Sequence, residues 1–139
     1  MFELLYTSIS PAGLSEAELM LMLKQWRLKN KALDITGMLL YHDREVMQIL
    51  EGEEDKVKAL FQTILMDNRH RNIEVIYEGN IKDRAFGEWS MTFKLLDENI
   101  IKIISAGYEE FNLKMSPITM IKESPNRGKK TFLTLRDML

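Results

Sequence analysis

Three polar side chains stand where the surrounding pattern calls for apolar ones: Tyr6 in FELLYTS (2–8), Asn30 on an otherwise apolar helical stripe, and Gln48 in VMQILEG (46–52). They offer a phenol and two amides. That set is suited to exchanging hydrogen bonds and holding a proton, whereas the absence of cysteine excludes disulfides, thiolate metal sites and cysteine nucleophiles. A buried amide with no partner costs roughly 1–3 kcal/mol, so Gln48 must bond to something. A satisfied core polar group explains each of the three singly. Taken together they come from three different elements that can converge between one helix and a sheet.

The elements that must position them follow from periodicity. FELLYTS is a short apolar run consistent with a buried strand. After the turn SPAG, Ser15 and Glu18 form a capping box for a helix that sets Leu19, Met22, Leu23, Trp26 and Asn30 on one stripe. DITGMLLYHDREVMQILEG reads as two strands joined by a tight turn at His42, Asp43 and Arg44, with His42 solvated. In the second strand Val46, Gln48 and Leu50 share one face and Met47 and Ile49 the other, so a strand apolar on both faces is covered on both sides. EEDKVKALFQTILMDNRH is a second amphipathic helix with Val57, Leu60, Phe61, Ile64 and Leu65 inward, and IEVIYEGNI and EWSMTFKLL are two further strands around a charged KDRAFG connection. Glu51 and Gly52 read as strand-end geometry.

The order βαββαββ predicts an α+β, ferredoxin-like sandwich with both helices on one face of the sheet. The other face needs a cover, which residues 97–139 can provide: a helix over DENIIKIISAGYEEF and, after the breaker SPNRG, a short helix carrying Phe132, Leu135, Met138 and Leu139. The expected division is 1–96 as one domain and 97–139 as a helical extension packing on the sheet. At 139 residues, 45% hydrophobic and 29% charged, the composition is that of an ordinary globular domain. A net charge of −2 supplies no basic field for nucleic acid or anionic lipid, and the run NRGKK is a solvated loop. No apolar run approaches a membrane span and MFELLYTS lacks a basic leader, so the expectation is a soluble, cytoplasmic protein with no membrane and no nucleic-acid partner.

Five blocks, LLYTS, KNKALDITGMLLY, MQILEG, DNRHRNIEVI and RAFGEWSM, occur in an order and at spacings that resemble the BLUF family, blue-light sensors that use flavin. The resemblance covers roughly residues 2–93 and implies an isoalloxazine ring between the two helices, beside the sheet. On it, Tyr6 is the electron and proton donor, Gln48 the switch between Tyr6 and the flavin, and Asn30 the clamp on the pyrimidine edge. Lys29 stands beside that clamp, Met22 and Ile64 flank the ring, and Arg69 and His70 match an Arg-His pair near the cofactor. Trp89 and Met91 occupy the signal-relay positions. Core packing accounts equally well for Met22 and Ile64, strand packing for Trp89, and helix capping for His70. Val46 replaces an aromatic residue frequent in the family.

The residue types suit that role. A phenol with a pKa of about 10 keeps its proton in the dark. Glutamine carries both a donor and an acceptor end, so rotating or tautomerising it reverses a hydrogen bond without changing any charge. The resemblance implies FAD as the cofactor, with FMN and riboflavin as alternatives, and a photoreceptor rather than an enzyme. Residues 97–139 are too few for a cyclase, phosphodiesterase or kinase segment. Output is then expected through the C-terminal helices or the sheet face to an unidentified protein partner, or through a homo-oligomer. The alternative is a light-indifferent interaction module that keeps the fold and binds no flavin.

Overall fold

The computed structural model describes residues 1–10, 15–67, 71–87, 92–105, 117–122 and 125–138. The chain runs β1 (Phe2–Ile9), α1 (Glu16–Ala32), β2 (Thr36–His42), β3 (Glu45–Gly52), α2 (Glu54–Leu65), β4 (Arg71–Asn80), β5 (Thr92–Leu95), α3 (Glu98–Ser105), α4 (Pro117–Lys122) and α5 (Pro125–Met138). The five strands form one sheet in the order β4-β1-β3-β2-β5, antiparallel except for the β2·β5 pair. The apolar-on-both-faces strands β1, β3 and β2 lie in the middle, where both faces are covered, and the more polar β4 lies at an edge.

Local chemistry explains the connections. Ser15 caps α1 by accepting from the Glu18 amide at 3.1 Å. The helix ends because Asp34 takes a left-handed conformation (φ 54°), which lets the Ile35 amide return to the Asn30 carbonyl at 2.8 Å. Asp43 and Arg44 both have positive φ, the requirement of a two-residue hairpin turn. His42 is therefore the last residue of β2 and half-buried, not a solvated turn residue. At Gly37 a Cβ would sit 1.9 Å from the Ile49 carbonyl oxygen, so only glycine permits β2 and β3 to approach there.

The sheet separates two apolar clusters. Phe2, Leu4, Tyr6, Leu39, Val46 and Leu50 face Leu19 and Leu23 of α1 and Val57, Leu60 and Phe61 of α2. Leu5, Met38, Leu40, Met47 and Ile49 face Phe86, Leu96 and the C-terminal helices through Ile100, Ile118, Ile121, Phe132 and Leu135. The α+β sandwich with two helices on one face and C-terminal helices on the other is the observed fold.

Three further expectations fail locally. Leu65 is 44% exposed, because α2 ends there and its last turn passes the edge of the core. Met138 is likewise exposed at the end of α5. SPNRG does not precede the last helix but runs into it: Pro125 opens α5, where its missing N–H is no loss, so NRGKK is helical and not a solvated loop, with Gly128 inside the helix. A Cβ at Gly128 would meet Leu5 Cδ2 at 2.8 Å, so this glycine lets α5 sit close against β1.

Candidate functional site

Tyr6 of β1 and Gln48 of β3 are directly opposite one another in the antiparallel ladder, and alternation turns both toward α1 and α2. The Tyr6 hydroxyl donates a hydrogen bond to Gln48 Oε1, both groups being buried. The phenol ring is fixed from the side by Phe61, 5.4 Å between centroids at 52°. Burial pushes the Tyr6 pKa well above that of an ordinary tyrosine, and the negative charge of Asp67 pushes in the same direction. The phenol therefore stays protonated at any physiological pH.

The pair forms the floor of a cavity of about 240 Å³ between the two helices. From α1 it is lined by Gln25, Trp26, Lys29 and Asn30, and from α2 by Leu60, Thr63 and Ile64, with Asp67 just beyond that helix. Asn30 is 3% exposed and belongs to the floor, whereas Gln25, Lys29 and Thr63 are exposed and form the rim. A ligand can thus bury a ring and let a substituent leave toward solvent.

Of the residues singled out from the sequence, Tyr6, Lys29, Asn30, Gln48 and Ile64 converge on this cavity. Met22 is buried but does not line it. Arg69, His70, Trp89 and Met91 lie outside the described residues. Asp67, Thr63 and Gln25 were not anticipated as site residues. A signal existed for two of them: Leu60, Thr63, Ile64 and Asp67 follow the i, i+3, i+4, i+7 spacing of one helical stripe.

Glu51 turns out to be more than strand-end geometry. It is fully buried, and both carboxylate oxygens are engaged. Oε1 accepts from Thr36 Oγ1 and from the Phe86 amide, each at 2.8 Å, and Oε2 accepts from the Ala85 amide at 2.8 Å. Arg84 reinforces the same corner, bonding Thr36 Oγ1 at 2.9 Å and the Asp34 carbonyl at 2.7 Å. This is a structural anchor facing away from the cavity.

The donor set suits one kind of ligand. A phenol and two primary amides sit on the floor, aliphatic walls come from Leu60 and Ile64, and among the described residues none of the floor groups is charged. Such a site fits a flat, uncharged heteroaromatic ring whose edge carries alternating carbonyl and N–H groups, which is the character of a flavin ring. Fold and site thus define a ligand-binding domain of the α+β class.

The family model for BLUF, sensors of blue-light using FAD, matches residues 1–92, and the chain belongs to that family. It is 36% identical over 75 residues to the photoactivated adenylate cyclase subunit alpha of Euglena gracilis, a match covering 54% of this chain and 7% of the relative. It is 36% identical over 63 residues to the blue light- and temperature-regulated antirepressor BluF of Escherichia coli (strain K12), covering 45% of this chain and 16% of the relative. The chain therefore spans only a small part of these curated relatives. The dark-state structure of BlrB, a BLUF protein, shares the fold with a TM-score of 0.75 at 24% identity, covering 99% of this chain and 96% of that one. Among the described residues no helix is long and apolar enough to cross a membrane.

Proposed function

We propose that this blue-light photoreceptor binds FAD in the cavity between α1 and α2 and signals through the Tyr6–Gln48 pair. The hydrogen bond from the Tyr6 hydroxyl to Gln48 Oε1, on the floor of a cavity they share with Asn30, is the observation that carries the reading. Bound there, a flavin supplies absorption of blue light and, once excited, an acceptor for an electron. Everything else is the work of the chain. Asn30 and Gln48 would hold the polar edge of the ring, Leu60 and Ile64 would supply its apolar walls, and Lys29 stands at the exposed rim where a substituent would leave the cavity.

In the dark, Tyr6 keeps its proton on Oη and points it at Gln48 Oε1. That acceptor is what allows electron and proton to leave the phenol together, without forming a charged tyrosine in a buried site. When the Gln48 amide turns over, an N–H group faces Tyr6 where a carbonyl oxygen faced it before, and when it tautomerises in place the same oxygen carries a proton as an O–H donor. The direction of bonding reverses while net charge is unchanged. A carboxylate could not donate and a leucine could do neither.

Residues 1–96 act in this reading as the photosensor and 97–139 as the extension through which it signals. Residues 1–139 carry no catalytic activity of their own. Output goes from the cytoplasmic receptor to a partner protein or to a changed homo-oligomer, with Trp89 and Met91 on the way. The test is the absorption spectrum of purified protein in the dark and after blue illumination. A flavin band that shifts to longer wavelength and relaxes thermally supports the reading. A band that only bleaches keeps the binding site and rejects the Gln48 switch. Protein that stays colourless after incubation with FAD favours the light-indifferent module.

A further inference from the structure

Ala85 is held from two sides. Its amide donates to Glu51 Oε2 of β3 at 2.8 Å, and its carbonyl accepts from Arg136 Nη1 of α5 at 2.8 Å. The neighbouring amide of Phe86 is bound to Glu51 Oε1, and the Phe86 ring meets Phe132 of α5 edge-on at 6.3 Å and 88°. Residues 85 and 86 thus form a two-residue bridge between β3 and the last helix. Glu51 lies three residues from Gln48 on the same strand, an odd spacing that sends the two side chains to opposite faces of the sheet. The strand that carries the switch on one face grips the bridge on the other.

We propose that Glu51, Ala85 and Arg136 form a coupler that transmits a displacement of β3 to α5, making α5 the element through which the light state is read. The proposal rests on the Gln48 reading above. Its physical basis is stiffness. A carboxylate whose oxygens accept three hydrogen bonds in a fully buried site resists rearrangement, so the 85–86 backbone follows β3. Arg136 then joins that backbone to α5 by a charge-assisted bond. At its other end α5 is tied to β1, where Lys129 Nζ lies 2.8 Å from Glu3 Oε2. Glu3 pairs directly with Glu51 across the ladder, as Tyr6 does with Gln48. One end of α5 therefore references the tyrosine strand and the other the glutamine strand, so a relative movement of the two strands tilts the helix.

Arg136 is a positioning residue, and the test separates coupling from simple support. The chain contains no cysteine, so paired spin labels can be placed at Lys24→Cys on α1 and Thr134→Cys on α5, both exposed positions, in flavin-loaded protein. Label separations are then measured in the dark and under blue light beside the absorption shift. The expected result is a light-induced change in separation that is lost in Arg136→Ala while the absorption shift keeps its size. Glu51→Gln, which turns one acceptor oxygen into an N–H₂ group, is the second variant and is expected to lose the change likewise. A support that merely holds α5 down lowers Tm but leaves the light-induced change intact, and that outcome overturns the coupler. An absorption shift with no change in separation in the parent overturns it too, while leaving the Gln48 reading standing. Absence of the absorption shift in the parent fails both.

Discussion

The two faces of the sheet use the same pair of strands differently. Toward α1 and α2, β1 and β3 present Tyr6 and Gln48, which bond to one another on the floor of a cavity. Three residues along, they present Glu3 and Glu51 to the opposite face. Two carboxylates placed opposite each other cannot share a proton donor of their own, and like charges in that position repel. Each is held by a different partner: Glu3 by Lys129, Glu51 by Thr36 and two backbone amides. What separates a site from an anchor is the chemistry of those partners. Both faces bury polar groups, but on the cavity face a donor meets an amide that can exchange its donor and acceptor ends. On the far face Glu51 can only accept, and two of its three donors are backbone amides with no acceptor end to offer.

The largest expected effect is on the cavity face. Tyr6→Phe should keep flavin and lose the light-induced shift entirely, and Gln48→Leu should keep flavin and lose the long-lived shifted state. A normal shift in the first, or a persistent one in the second, read by absorption after a blue pulse, would break the assignment of exchange to this face. On the far face Glu51→Ala strands the Ala85 and Phe86 amides and should cost about 3–5 kcal/mol in urea unfolding, since each orphaned buried group costs roughly 1–3. A loss below about 1 kcal/mol would mean that water satisfies that corner and that the contrast is overstated.

Asn30→Ala sharpens the cavity side. Losing one or two hydrogen bonds to the ring should weaken flavin retention by about tenfold, with little change in the unfolding of apo-protein. Equal flavin content after purification would remove Asn30 from the clamp. The smallest effect compares one tyrosine from each side. Burial raises the pKa of both Tyr6 and Tyr77, assisted by Asp67 for the first and Glu3 for the second. A raised folded pKa keeps the proton on the native state, so its contribution to stability is complete below the unfolded value of about 10 and fades as pH climbs beyond it. Stability should thus decline above about pH 10, and either Tyr6→Phe or Tyr77→Phe should make the decline shallower. The same slope in both variants and the parent would show that these phenols do not supply it.

Much of the cavity was legible from local patterns. Alternation along VMQILEG and the helical period through Asn30 marked the polar exceptions, because which face a side chain takes depends only on its neighbours in sequence. The same logic served less well at element ends: Leu65 and Met138 keep the right period yet pass beyond the core they were expected to join. It also misread SPNRG, where proline and glycine suggest a break but proline opens a helix and glycine answers a contact with Leu5.

Propensity and periodicity were enough for the order of elements from β1 to β5, the buried polar trio and the need for a cover on the second face, but not for α4 within that cover. Which polar group meets which was set by long-range packing. The register of β1 on β3 set Tyr6 opposite Gln48, and folding brought Asp67 to the cavity. Glu51 found amides 34 and 35 residues away, and Arg136 reached a carbonyl 51 residues back. Those pairings depend on strand register and helix docking, which the burial of many side chains at once determines and no short stretch encodes.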